Sequence, residues 1–218
     1  MSRSFENIST IIFDFDGTIA DTLELGVSVS NSICDRFGYK KISNKKELDI
    51  YRNLSTQKAI KAVGISYLKL PIIAHAFRKE LAKNIDLLKP IDGIPEVIRE
   101  LAKSYKLGIV TSNSQANIES FLTRHGMTEC FHYFSSGIRL FQKNKTIKSI
   151  IKKGNLKKDE VLLVGDETRD IEAASSCGLP IISATWGFHT RAVLEEFHPD
   201  EIIDHPSELL QLLINTRT

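Results

Sequence analysis

The sequence of 218 residues contains few cysteines and no arrangement that would join them. Its three cysteines, Cys34, Cys130 and Cys177, lie far apart and form no CxxC pair. This spacing indicates neither a disulfide framework nor a zinc cluster, because both need paired or clustered cysteines. We therefore expect buried or reduced thiols.

Long apolar runs and a strong excess of one charge are missing as well. No apolar run approaches the length that spans a bilayer, and the net charge is only +2, which gives little attraction to nucleic acid or an anionic membrane. The opening MSRSFENIS lacks the basic and then apolar segments of a secretory signal. We expect a cytoplasmic protein without a nucleic-acid or membrane partner, present as a monomer or weak homodimer.

The composition itself is that of an ordinary globular protein. Hydrophobic residues make up 42% of the chain and charged residues 26%, which excludes a disordered or fibrous class. A chain of this length can bury a substantial core, either as one domain with a large insertion or as two small domains.

The most informative stretch is a short apolar run that ends in two aspartates. Residues Thr10–Phe13 are β-branched or apolar, as expected for a strand covered on both faces, and Gly17 permits a sharp turn after it. Asp14 and Asp16 lie between the two. Two crowded carboxylates at the end of a buried strand are costly unless a cation, a proton or a reaction occupies them. The pattern predicts a functional site there.

Downstream, short apolar runs alternate with amphipathic segments, which is typical of a parallel sheet with crossover helices. Strands are predicted near residues 107–110, 131–134, 161–164 and 180–184, and helices near 95–104, 115–124, 146–152 and between 165 and 175. We predict an α/β fold whose Rossmann-like core comprises residues 1–20 and 90–218. Residues 21–89 show no convincing strand pattern and are predicted to form an inserted all-helical domain.

Four features follow one another in an order that points to phosphoryl chemistry. They are DFDGT at Asp14–Thr18, Thr111 after the apolar run LGIV, Lys143 in FQKNK, and GDETRD at Gly165–Asp170. Their types, order and spacing resemble the four motifs of the haloacid dehalogenase (HAD) superfamily, over nearly the whole chain. The helical insertion resembles the mobile cap of one HAD subclass, and the segments GTIADT, IDGIPEVIREL and GDETRDIEAA resemble phosphoglycolate phosphatase-like members.

This resemblance implies a magnesium-dependent phosphatase that acts on a small phosphorylated metabolite, such as phosphoglycolate or a sugar phosphate monoester. Asp14 would be the nucleophile that forms an aspartyl phosphate, and Asp16 would be the general acid and base. Magnesium would bind the carboxylates of Asp14 and Asp166 and the backbone carbonyl of Asp16, since this cation prefers oxygen ligands.

The resemblance also implies how the phosphoryl group would be held. Thr111, with backbone amides near Ser112 and Asn113, would hydrogen-bond its oxygens, and Lys143 would offset the shared negative charge. Asp170 would orient metal-bound waters or Lys143. In this superfamily the first strand lies between the second strand and the GD strand, so these pieces would meet at a crevice where the sheet opens.

Several assignments stay open on the sequence alone. Lys145 is the alternative to Lys143 in the third motif, because this segment is rich in lysine. Asp21 is either part of a hinge or simply the start of a helix. Arg52 and Lys69 could reach a substrate carboxylate or second phosphate, although solvated side chains are the interpretation that we prefer.

Two other functions are compatible with the motifs. A sugar phosphomutase uses the same aspartyl phosphate and returns it to a sugar, and a non-catalytic HAD-like binding module would need no turnover. A dehalogenase is disfavoured by Asp16, because that reaction has no leaving alcohol to protonate.

Overall fold

The computed structural model describes residues 5–137 and 141–214. A six-stranded sheet lies at the centre of the chain, in the order β3-β2-β1-β4-β5-β6. All neighbouring strands are parallel. The strands are β1 Thr10–Phe13, β2 Lys106–Val110, β3 Phe131–Ser135, β4 Val161–Gly165, β5 Ile181–Ala184 and β6 Glu201–Ile203. The predicted α/β fold is confirmed, with β1 between β2 and β4.

The register of the three central strands aligns their carboxyl ends. Phe13 at the end of β1 pairs with Ile109 of β2 and with Val164 of β4. Every residue of β1 and β4 is buried, which is why these segments read as continuous apolar runs rather than alternating ones. The residues that follow these strands therefore emerge at one edge of the sheet.

Four helices follow β1, and we refer to residues 21–89 as the helical insertion. These helices are α1 Leu23–Phe37, α2 Lys45–Arg52, α3 Thr56–Ala62 and α4 Leu70–Ala82, with short 3-10 turns at Tyr67–Lys69 and Ile85–Leu87. The insertion has a small apolar cluster of its own, formed by Ile33, Cys34, Tyr39, Ile73 and Ala76. The division into domains at residues 20 and 90 stays a prediction.

The remaining helices cover the two faces of the sheet. They are α5 Ile94–Leu101, α6 Gln115–Arg124, α7 Lys143–Gly154, α8 Thr168–Cys177, α9 Arg191–Glu195 and α10 Ser207–Ile214. Gly38 and Gly178 follow α1 and α8 in the left-handed conformation, where glycine carries no steric penalty. β6, α9 and α10 were not predicted from the sequence.

The structure bears on the predictions made for the cysteines and for the apolar segments. Cys34 and Cys177 are buried, Cys130 is partly buried, and all three are free thiols. Within residues 5–137 and 141–214, no single helix is long and apolar enough to cross a membrane, although the bent pair Thr56–Ala62 and Tyr67–Ala82 passes by length and composition.

Candidate active site

Asp14 lies at the carboxyl end of β1, in the middle of the sheet, and is only 2% exposed. Its Oδ1 accepts a hydrogen bond from the Phe15 N–H at 2.8 Å. Its Oδ2 lies 3.0 Å from Lys143 Nζ, close enough for attraction between charges, yet no donor among the described residues meets hydrogen-bond geometry there. Burial raises the pKa of Asp14, and the Lys143 charge opposes that rise. This oxygen can therefore accept a further cation.

Asp16 is less buried than Asp14 and lines a cavity. The Asn113 side-chain amide donates to its Oδ1 at 3.0 Å and its Oδ2 at 3.3 Å, and Thr111 Oγ1 donates to Oδ2 at 3.5 Å. Burial and the nearby charge of Asp14 raise the pKa of Asp16 to about 7. A carboxyl that titrates near neutrality suits proton transfer in both directions.

Lys143 is the first residue of α7 and is 6% exposed. Its Nζ donates to Asp170 Oδ1 at 2.6 Å in addition to its ion pair with Asp14. Burial lowers the pKa of this amine, but the two carboxylates outweigh burial and raise it. Lys145 is exposed, so the geometry favours Lys143 as the lysine of the site.

Asp166 follows β4 and is completely buried. Thr18 Oγ1 donates to its Oδ1 at 2.6 Å, and the Phe188 N–H donates to its Oδ2 at 2.7 Å. Burial, followed by the charges of Glu167 and Asp14, raises its pKa well above the ordinary range. Without a cation, this carboxylate is held in an unfavourable environment.

Gly17 explains how the chain can pack so tightly against Asp166. It has a φ of +79°, and a Cβ added to it would collide with Asp166 Oδ2. Gly187 approaches the same carboxylate, and a Cβ there would collide as well. Glycine at both positions lets the backbone enclose Asp166.

Asp170, like Asp166, has a protein donor at each carboxylate oxygen, but one of its donors is the charged amine of Lys143. Its Oδ1 accepts from Lys143, and its Oδ2 accepts from the Glu167 N–H at 3.1 Å. Burial disfavours the ionised form, but the charges of Lys143 and Arg169 hold the pKa of Asp170 below its usual value. Asp170 thus positions Lys143.

The residues present fit a divalent cation. Carboxylate oxygens of Asp14, Asp166 and Asp170 lie within 4.8 Å of one another, and the charge of Asp170 is already paired with Lys143. Among the described residues the buried acids are Asp14, Asp166, Glu167 and Asp170, whereas the buried lysine and arginine are Lys143 and Arg169. When all four acids are ionised, they exceed the two cations by two negative charges, which one hard divalent ion would neutralise.

The turn after β2 brings Thr111 and Asn113 to the same edge. The Asn113 N–H donates to Thr111 Oγ1 at 3.0 Å, and Asn113 Oδ1 accepts from the Ser114 N–H and from Asn117 Nδ2. The Asn113 backbone amide, predicted to face a phosphoryl oxygen, is thus bonded within the turn here. Its role toward phosphate stays a prediction, as do those of Thr111 and Ser112.

A cavity of about 240 Å³ separates this edge from the helical insertion, and we call it the chamber. The insertion lines it mainly with apolar side chains, including Ile60, Ile65, Ile73, Phe77 and Leu81, and with one cation, Arg78. Arg78 Nη1 donates to the Ser112 carbonyl at 3.2 Å. Sequence reasoning missed Arg78, because a basic residue on an amphipathic helix resembles any solvated one.

The basic residues considered from the sequence have other partners. Arg52 donates to the backbone carbonyls of Phe188 and Gly187 at 3.1 and 3.0 Å. Lys69 donates to the Phe37 carbonyl at 3.1 Å, at the end of α1. Both therefore contact protein backbone, and Asp21 is exposed.

A second group that the sequence did not reveal joins the insertion to the GDETRD loop. Arg169 donates through Nε and Nη2 to Glu167 Oε1, and its Nη2 lies 3.6 Å from Asp14 Oδ2. Thr56 Oγ1 donates to Glu167 Oε2 at 3.0 Å. Glu167 and Arg169 lie between the two aspartates of GDETRD, at positions to which the motif assigns no role, so the sequence did not single them out.

Comparison with known proteins identifies relatives that match nearly the whole chain. The sequence profile of the haloacid dehalogenase-like hydrolases matches residues 11–184. A phosphoglycolate phosphatase of Synechococcus elongatus is 33% identical over 205 residues, which cover 94% of this chain and 96% of that protein. Pyrophosphatase PpaX of Bacillus mycoides is 25% identical over 211 residues, covering 94% and 97%. The structure of a haloacid dehalogenase-like hydrolase of Streptococcus pneumoniae shares the fold, with a TM-score of 0.75, 22% identity, and 94% and 98% coverage.

Proposed function

The chain belongs to the haloacid dehalogenase-like hydrolase family and is a phosphatase, and from this premise we propose that it hydrolyses a small phosphate monoester with Mg²⁺ through an aspartyl phosphate. The observation that carries the proposal is that the neighbouring carboxyls of Asp14 and Asp16 lie in different environments. Asp14 contacts Lys143 in the interior, whereas Asp16 lines the chamber with a pKa of about 7. Different environments assign different roles to paired acids.

In the first step, a carboxylate oxygen of Asp14 attacks phosphorus and forms the new P–O bond. The bond between phosphorus and the leaving oxygen breaks, and its electron pair stays on that oxygen. Asp16, in its protonated form, donates a proton to it. Asn113, which also lines the chamber, donates to the Asp16 carboxyl at 3.0 Å and so helps to fix its position there.

In the second step, water attacks phosphorus of the aspartyl phosphate. Asp16 removes a proton from that water, and the P–O bond to Asp14 breaks with its electron pair returning to the carboxylate. Lys143, 3.0 Å from Asp14 Oδ2, stabilises the negative charge shared by Asp14 and the phosphoryl group in both steps, and Thr111 would hydrogen-bond a phosphoryl oxygen.

Magnesium would be held by the carboxylates of Asp14 and Asp166 together with the backbone carbonyl of Asp16. When bound, the ion supplies positive charge to the phosphoryl oxygens and to these acids. Its fit is supported by the acceptor left open on Asp14 Oδ2 and by the excess of two negative charges among the buried side chains.

We further propose that the helical insertion acts as a cap and that phosphoglycolate is the first substrate to consider. A cap that closes during chemistry excludes water and opens again for exchange. The chamber of about 240 Å³ suits a small leaving group, and Arg78 offers a guanidinium to a carboxylate. The relative from S. elongatus bears the name of this activity. A sugar phosphate is the second candidate.

The test is a panel of phosphoglycolate, pyrophosphate, hexose 1- and 6-phosphates and an aryl phosphate, each with Mg²⁺ or with EDTA. We expect turnover that requires Mg²⁺, and a phosphoenzyme trapped by acid quenching. Asp14→Asn should abolish both, while the exposed control Asp159→Asn should retain them. Near-native activity of Asp14→Asn would refute the nucleophile.

The same panel separates the other two functions. A phosphomutase would convert hexose 1-phosphate, with a trace of bisphosphate, to the 6-phosphate faster than it releases phosphate. A binding module would show no turnover with or without Mg²⁺ while still binding the ion. Either result would replace the proposed hydrolysis.

A further inference from the structure

We propose that Arg169 supplies a second positive charge beside the nucleophile, and that Thr56 of the helical insertion holds it there through Glu167. Closure of the insertion would then complete the charge arrangement around Asp14. The proposal rests on Asp14 being the nucleophile, as assigned above.

Arg169 lies beside the carboxylate of Asp14. It is 8% exposed, its Nη2 lies 3.6 Å from Asp14 Oδ2, and it also lines the chamber. It therefore stands between the cavity, where a phosphate ester would enter, and the carboxylate that would attack it. Arginine is rarely buried unless it is paired, so the position of Arg169 differs from that of an ordinary solvated surface charge.

Glu167 fixes the orientation of this guanidinium. Its Oε1 accepts from both Nε and Nη2 of Arg169, and its Oε2 accepts from Thr56 Oγ1 at 3.0 Å. At 9% exposure Glu167 has little access to water. A buried ion pair is favourable only when its remaining acceptors are satisfied, so the Thr56 hydroxyl is part of what keeps the pair in this geometry.

Thr56 of the insertion contacts the GDETRD segment at two residues. It is the first residue of α3, and its backbone N–H donates to Thr168 Oγ1 at 3.2 Å. Its hydroxyl and Glu167 are 111 residues apart in the sequence. If the insertion moved away, Glu167 would lose this donor and gain water. The orientation of Arg169 would then be less restricted.

Arg169 adds something that Lys143 cannot provide. Lys143 is a single ammonium group already shared by Asp14 and Asp170. A guanidinium presents a planar fork that can contact two phosphoryl oxygens at once, which favours one orientation of the group. Two cations on the same nucleophile would stabilise the negative charge of the phosphoryl group as it is transferred.

The experiment compares Arg169→Met, Arg169→Lys, Thr56→Val, the double variant Thr56→Val/Arg169→Met and the charge-balanced double variant Glu167→Gln/Arg169→Met. Ser66→Ala, an exposed hydroxyl of the insertion, is the matched control. Steady-state kinetics with an aryl phosphate, trapped phosphoenzyme and thermal unfolding are measured for each. The aryl phosphate carries no carboxylate for Arg78, so differences report on the nucleophile side.

We expect Arg169→Met to lower kcat by about 100-fold, as loss of a group that stabilises transition-state charge does, with KM changed by less than about threefold. Arg169→Lys should recover part of kcat because the charge remains. Thr56→Val should lower kcat by about tenfold in the native background and have no further effect in Arg169→Met, because the hydroxyl acts through Arg169.

A kcat of Arg169→Met within threefold of the native value would overturn the proposal, as would an equal effect of Thr56→Val in both backgrounds. If Arg169→Met fails to fold because Glu167 is left unpaired, the kcat of Glu167→Gln/Arg169→Met is compared with the native value instead. Absence of turnover and phosphoenzyme in the unmodified protein would instead count against the proposed function itself, which keeps the two failures distinct.

Discussion

Lys143 and Lys145 are two positions apart in the sequence and stand in opposite environments. Lys143 is buried between Asp14 and Asp170, while Lys145 is exposed. The reason is that α7 begins at Lys143, and residues two apart on a helix face nearly opposite directions. Residue type does not distinguish the two lysines, but their positions on α7 give them different burial and different partners.

Separate alanine substitutions test this difference. Lys143→Ala should lower kcat by about 10²- to 10³-fold, because Asp14 and the phosphoryl group lose a neighbouring charge. Lys145→Ala should leave kcat within about twofold. Steady-state kinetics on the best substrate of the panel measure both, and a severe effect of Lys145→Ala alone would contradict the placement.

Arg78 gives a second prediction for single residues, concerning substrate choice. Arg78→Ala should lower kcat/KM for phosphoglycolate by about 10- to 100-fold, the loss expected for a hydrogen bond to a charged group. The aryl phosphate lacks the carboxylate, so its kcat/KM should change little. The exposed neighbour Lys79→Ala is the control. Equal losses on both substrates would mean that Arg78 does not select the leaving group.

At the level of elements, the start of α8 depends on a histidine from the segment after β5. The Thr168 N–H, which has no partner within the first turn of a helix, donates to His189 Nδ1 at 2.9 Å. This bond requires a neutral imidazole acceptor. Burial lowers the pKa of His189 below its ordinary 6.5, so the folded state keeps the form that accepts.

The sign of the resulting pH dependence follows from this lowered pKa. Below pH 6.5 the unfolded chain takes up a proton at His189 that the folded chain does not. The free energy of unfolding should therefore fall as pH drops from 6.5 toward the folded-state pKa, by at most about 1.4 kcal/mol per pH unit, and be unaffected above 6.5. Urea unfolding at several pH values would measure it.

The His189→Asn variant isolates this contribution. Its amide oxygen can accept from the Thr168 N–H but does not titrate in this range, so the acid loss of stability should be smaller than in the unmodified protein. Identical pH slopes for the two proteins would show that His189 is not the group responsible.

For the whole molecule, the strand order determines which residues form the site. β1 lies between β2 and β4, although these three strands are far apart in the sequence. The residues that follow them therefore meet at one edge of the sheet, where open α/β sheets form their crevices. The strand order thus brings several carboxyl groups together in the interior, and their proximity contributes to the raised pKa of Asp166. A cation should therefore stabilise the whole fold.

We predict that Mg²⁺ at about 100 times its Kd raises the thermal midpoint by roughly 5–10 °C. Asp166→Asn should remove this shift, because the variant lacks the carboxylate that would hold the ion. The exposed control Asp159→Asn should keep the shift. Differential scanning calorimetry with Mg²⁺ and with EDTA measures it; an unchanged shift in Asp166→Asn would exclude that residue as a ligand.

Much of the fold was accessible from the sequence, because strand and helix signals are local. The predicted strand Thr10–Phe13 and the predicted helix Gln115–Arg124 have the bounds found in the structure. β6 was missed because it is a three-residue edge strand that is only partly buried, too short for a periodic pattern. Candidate site residues could be named from their motifs, but their contacts could not.

Local patterns were enough to predict the α/β architecture and to single out Asp14 and Asp16, since apolar runs, glycine turns and residue spacing act over a few positions. The lysine beside Asp14, the place of Arg78 in the chamber, and the contacts of Glu167 with both Thr56 and Arg169 came from the folded structure alone. Those contacts join residues far apart in the chain. Sheet order and helix packing create them, and no local pattern records the distances that result.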